Sequence, residues 1–159
     1  MKMNPWTTTT AGLLALCLAQ SAGAQQSLAA APAKAPLGRW ITESGNLEVD
    51  IAPCAGETLC GKVVRVLGNR SMSAPGTEMA AADARPALGM TLLSGLRPSD
   101  GGNTEYQGEI YNRENAKTYR ATLTPAEPDQ LLVRAYVGIP LFGKTQVWRR
   151  PGAEHGGVQ

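Results

Sequence analysis

Beyond residue 37 the chain alternates apolar and polar side chains over short stretches. Within Leu47–Pro53, Leu47, Val49 and Ile51 fall on one face and Glu48 and Asp50 on the other. That is the period of a half-buried strand. Over 117–125, Tyr119, Ala121 and Leu123 alternate with Thr118, Arg120, Thr122 and Thr124, and 59–67 is rich in β-branched residues. The pattern predicts strands over 38–43, 47–53, 59–67, 88–96, 104–112, 117–125, 130–138 and 144–150. Turn chemistry separates them: Ser44-Gly45-Asn46, Ala55–Thr58, Pro98–Asn103, Arg113–Ala116, Glu127-Pro128-Asp129 and Ile139–Gly143. Eight short strands on mostly hairpin-length connections describe an all-β chain, an up-and-down barrel or a sandwich. A closed barrel of that strand number holds either packed side chains or one small ligand.

One interval breaks the rhythm. Residues 68–87 carry no strand pattern, and a structureless stretch of that length in a small domain is either functional or mobile. Thr77 is placed to cap a short helix over 78–84. The functional reading is a lid over a barrel mouth, and its alternative is a surface loop.

The first 24 residues have a different composition. Lys2 precedes an apolar run, Ala11–Ala19, and then Ala22-Gly23-Ala24, the three parts of a secretory signal. The run is about half of what a spanning helix needs. Leu16, rather than a small residue, precedes Cys17, which argues against a lipoprotein signal. The expectations are cleavage after Ala24, a flexible Ala/Pro-rich leader over 25–36, a barrel domain over 37–150 and a disordered tail over 151–159. The mature protein is then periplasmic or secreted, with no transmembrane segment left after signal cleavage.

Charge narrows the partners. The full chain carries 15 basic and 13 acidic side chains, and losing Lys2 with the signal leaves 14 against 13. So even a balance, with the two signs interspersed, gives no field for nucleic acid. Aromatics are 5% of the chain and the outward strand positions are charged or hydroxylic, unlike the aromatic girdles of an outer-membrane barrel.

Export also bears on Cys54 and Cys60, which lie in an oxidising compartment at the mouth of a hairpin. Five residues separate them, where a thioredoxin-like pair has two, and Gly61 stands where a haem attachment needs His. A zinc site needs about four ligands. A disulfide staple is the expected role, with a redox pair as the alternative. Closing so small a loop stabilises by about 2 kcal/mol on the chain-entropy model.

Four blocks in order, LGRWIT…LEVDIAPCAGETLCGKVV, RPALGMTLLSGL, GEIYNRENAKTYRATL and LLVRAYVGIPLFGKTQVWRR, resemble the DUF2147 family of exported bacterial proteins. The Cys-Gly after the first hairpin, Ile110-Tyr111-Asn112 and the terminal Trp148-Arg149 carry most of the likeness. Gly108-Glu109 stands where that family usually shows a Gly-Gly pair. The resemblance implies a single eight-stranded antiparallel up-and-down, lipocalin-like barrel with an apolar cavity, and it brings no catalytic residues with it. Gly38-Arg39-Trp40 is similar to the Gly-x-Trp that opens the first lipocalin strand. That likeness implies Arg149 or Arg150 packed over the Trp40 ring.

An enzyme is not expected. The one histidine of the chain, His155, lies in the tail, which leaves no Ser-His-Asp or Cys-His arrangement. Glu48, Asp50 and Glu109 read as solvated outward strand positions, and no Walker loop or dinucleotide fingerprint is present. No cofactor and no metal is expected. The preferred function is binding of a small apolar ligand inside the barrel. One face of each strand supplies the expected lining: Trp40, Val49, Ile51 and Val63, then Met90, Leu92, Tyr106 and Ile110, then Tyr119, Leu123, Val133 and Val147. Pockets of this kind are mostly apolar with a few polar anchors, a role open to the tyrosine hydroxyls. The alternative is an envelope interaction or stress-related module with a filled barrel, docking through Met72, Met79 or Phe142 on a protein partner that the sequence leaves unknown.

Overall fold

A computed structural model describes residues 35–100 and 104–153. The expected signal segment, most of the expected leader, His155 and most of the expected tail lie outside the described residues. The strands are β1 (Gly38–Ile41), β2 (Leu47–Pro53), β3 (Leu59–Val66), β4 (Thr91–Pro98), β5 (Tyr106–Asn112), β6 (Lys117–Glu127), β7 (Gln130–Tyr136) and β8 (Lys144–Arg149). Each pairs antiparallel with the next, and Ile41 pairs with Arg149 to join β1 to β8 and close the barrel. No helix of the described residues is long and apolar enough to cross a membrane.

Side-chain alternation does what the pattern predicts. Val49, Ile51, Val63, Leu123 and Val133 point inward and are fully buried together with Trp40, Leu93, Leu96 and Leu131. β4 starts at Thr91 rather than at Leu88, because Ala87–Met90 forms a turn in which Gly89 takes φ 80°. Two glycines let the strands come together. A Cβ at Gly61 would meet Leu93 Cδ1 at 2.9 Å, so glycine leaves room for that leucine. A Cβ at Gly108 would sit 2.6 Å from the Ser94 carbonyl oxygen, where the β4–β5 register shifts. The Gly-Glu that departs from the resembled family thus keeps the glycine that the packing requires.

The two ends of the barrel differ. At one end lie the β2–β3, β4–β5 and β6–β7 turns, the start of β1 and the end of β8. Here Trp40 Nε1 donates to the Pro36 carbonyl at 2.9 Å, and Pro36 is itself buried. The Arg150 guanidinium lies 3.7 Å from the Trp40 ring centroid and donates to the Leu37 and Arg39 carbonyls. Of the two arginines that the Gly-x-Trp likeness implicated, it is Arg150 that covers the ring. The Cys54–Cys60 disulfide staples the β2–β3 turn at this same end, with a Cα–Cα distance of 5.7 Å.

Two sequence expectations are corrected. No helix forms over 78–84. Thr77 Oγ1 donates back to the Ala74 carbonyl, and the Arg70 backbone pairs antiparallel with that of Glu78, so the segment turns back on itself instead of starting a helix. Glu48 is not a solvated outward residue. It points outward from β2 yet is buried, because the neighbouring strands lay Arg39 (3.1 Å) and Arg65 (2.8 Å) over its carboxylate.

Candidate functional site

At the opposite end, the β1–β2, β3–β4, β5–β6 and β7–β8 connections surround a cavity of about 610 Å³. Its floor is apolar. Leu92 from β4, Ile110 from β5 and Trp148 from β8 meet there, with Leu47 and Ala135 beside them. Below this floor the barrel is filled, so the interior is half packed core and half open space. A cavity of this volume is in the range that holds a small organic ligand.

The strand parity that fills the core also grades the wall. On β8, Lys144, Gln146 and Trp148 share the inward face two residues apart, so the wall passes from cation at the rim through amide to indole at the floor. Trp148 Nε1 donates to Gln146 Oε1 at 2.9 Å, which satisfies the buried indole N–H. Across the mouth, Asn112 and Arg113 stand above Ile110. Polar groups therefore gather at the opening.

The β3–β4 connection forms part of the wall and is fastened at three places. Asn46 Nδ2 donates to the Arg70 carbonyl at 2.7 Å, and Arg70 N–H donates back to Asn46 Oδ1 at 2.8 Å. Glu114, in the β5–β6 turn, accepts the hydroxyls of Ser71 and Ser73 and the Met72 N–H. Those hydrogen bonds, that of Ser71 first, hold its carboxyl below the ordinary glutamate value. The third fastening is buried Asp83, which accepts a two-pronged contact from Arg85 and a 2.7 Å bond from the Tyr111 hydroxyl. Arg85 and then Tyr111 hold the Asp83 carboxyl well below the usual carboxylate range, and the Asp83 contact pushes the Tyr111 phenol up. So fastened, the connection turns Met72, Ser73 and Met79 toward the cavity. A second depression of about 640 Å³ lies on the outer wall between Arg85, Glu109 and Thr118, with Met90 on its edge.

Of the twelve residues expected to line a ligand site, the cavity is lined by Leu92, Ile110 and Tyr119. Trp40, Val49, Ile51, Val63, Leu123 and Val133 belong to the filled half, and Tyr106 and Met90 pack against it. Val147 lies on the outer face of β8, paired with Leu132, because its neighbours Gln146 and Trp148 take the inward positions. Tyr119 Oη accepts a 2.8 Å bond from Asn115. Sequence reasoning missed Trp148, Gln146, Lys144 and Arg113. Parity on β8 held the signal for the first three, but choosing the aliphatic residue over the indole reversed the face. Met72 and Met79, expected as exposed docking residues, are half-buried at the cavity, while Phe142 is 80% exposed at its rim.

Comparison with known proteins follows the same lines. The family model described as "Uncharacterized protein conserved in bacteria (DUF2147)" matches residues 38–150. Among curated proteins none matches. A solved structure, "Protein HP1028 from the human pathogen Helicobacter pylori belongs to the lipocalin family", superposes with a TM-score of 0.51 at 18% identity. That superposition covers 76% of this chain and 86% of the Helicobacter pylori chain, a likeness of fold.

Proposed function

Given that the chain belongs to the DUF2147 family and folds as a lipocalin-like barrel, we propose that it is a non-enzymatic binder of a small, largely apolar molecule, acting in the periplasm or as a secreted protein. The observation that carries the reading is the division of the barrel interior. One half is filled by Trp40 and the aliphatic core, and the other stays open above Leu92, Ile110 and Trp148. Burying apolar ligand surface on that floor supplies about 25 cal/mol per Å², and the polar rim supplies orientation. The signal-like first 24 residues and the paired cysteines support export.

The test is native mass spectrometry of the protein recovered from periplasm without detergent, followed by unfolding and analysis of what is released. A stoichiometric adduct lost on unfolding is expected. A bare mass, together with no uptake of apolar fluorescent probes, contradicts the reading.

One observation favours a second reading. Val137, Ile139, Leu141 and Phe142 form an exposed apolar tip at the β7–β8 connection, with Leu141 at 74% exposure. Such a tip suits docking on a protein partner. A bare mass in the first experiment turns attention to that surface.

A further inference from the structure

The cavity mouth carries an unbalanced charge. Three charged side chains line it: Arg113, Glu114 and Lys144. Glu114 is occupied, since both of its oxygens accept hydrogen bonds from Ser71, Met72 and Ser73 of the β3–β4 connection. The two cations are not occupied by acids: among the described residues neither Arg113 nor Lys144 forms an ion pair. Arg113 spends one terminal nitrogen on the Arg85 carbonyl at 3.1 Å, and its buried Nε–H has no protein acceptor.

The two cations belong to different elements, Arg113 to the β5–β6 turn and Lys144 to the start of β8, and both sit above an apolar floor. A ligand that descends on Trp148 and Ile110 therefore ends its outer part among positive groups. A neutral ligand leaves both cations without a counter-charge, and a cationic one meets like charge at the mouth.

We propose that this cavity selects an amphiphile with an anionic head, of the long-chain monocarboxylate class. Its head accepts hydrogen bonds from Arg113 and Lys144, and its chain lies on Leu92, Ile110 and Trp148. The inference rests on the carrier reading above and adds the chemistry of the cargo.

Three ligands of one chain length test it: dodecanoate, dodecanol and dodecyltrimethylammonium, each titrated calorimetrically into the mature protein below its critical micelle concentration. The expected result is that the carboxylate binds about tenfold or more tighter than the alcohol, and that the ammonium binds worst. K144Q and R113Q each remove a severalfold share of that preference, read as the ratio of carboxylate to alcohol affinity in the same variant. R113K retains more of the preference than R113Q, which separates charge from packing. Equal affinity for acid and alcohol overturns the head-group inference and leaves the carrier reading standing. Tighter binding of the ammonium also overturns the inference. Failure of all three ligands to bind, with the far-ultraviolet signal of the barrel intact, overturns both.

Discussion

Arg150 stacks on Trp40 at 3.7 Å, joining the end of the last strand to the first strand at the packed end of the barrel. This pair does what a single β1–β8 backbone pairing, Ile41 with Arg149, does only weakly. It covers the seam, and its guanidinium also satisfies the Leu37 and Arg39 carbonyls. Replacing Arg150 with Ala is expected to cost about 1–2 kcal/mol, read as a lower urea midpoint at unchanged slope. Ligand affinity should not change, because the cavity opens at the other end.

The disulfide is expected to separate stability from function in the same way. Cys54 and Cys60 lie at the packed end, remote from every residue that lines the cavity. The double substitution C54S/C60S should lower stability by about 2 kcal/mol and leave the dissociation constant of any cavity ligand unchanged. A matching loss of affinity would give the cysteines a role beyond the staple.

Gly108 is held by backbone rather than by side chain. Its hypothetical Cβ meets the Ser94 carbonyl oxygen at 2.6 Å, and that oxygen belongs to a shifted strand pair. Gly108→Ala should therefore destabilise by about 1–3 kcal/mol, measured by chemical denaturation. By contrast, Ala116 sits in the β5–β6 turn at φ 55°, a left-handed conformation that glycine adopts freely. Ala116→Gly should be neutral or stabilising by up to about 1 kcal/mol, the opposite sign for a reciprocal substitution.

The β3–β4 connection should loosen in acid. Asp83 and Glu114 both hold protons more weakly in the folded protein than the ordinary values of 3.8 and 4.5. Groups of that kind stabilise fully above the unfolded value and lose the contribution as pH falls through the folded one. Hydrogen exchange of residues 69–90 should accelerate below about pH 4.5, once the intrinsic pH dependence is removed, before the β6–β7 pairing responds. Tyr111→Phe, which removes the 2.7 Å bond to Asp83, should raise exchange in this segment at neutral pH. Unchanged protection in both cases contradicts the fastening described for this segment.

Much of the barrel was legible because alternation is a local signal. Val49 and Ile51 in β2, or Leu123 in β6, announce their inward face within three or four residues. Cavity and core look alike by that signal, since the same face of a strand runs from the packed end to the open end. Val49 and Ile51 thus entered the expected lining and lie in the filled half, while Leu47, on the same face, lines the opening. Burial of Glu48 was illegible for another reason: two arginines from adjacent strands cover it, which depends on register. The Tyr111–Asp83 contact joins residues 28 apart across an irregular segment, where no period exists to read.

The most direct test of the central claim fills the open half and leaves the packed half alone. Ala135 lines the cavity from β7 and is partly buried. Titration of an apolar fluorescent probe is expected to give one site per chain in the wild type. Ala135→Trp should abolish that site without lowering the unfolding midpoint. Equal probe affinity in the two proteins, or no binding by the wild type, would contradict the assignment of this space as a ligand cavity.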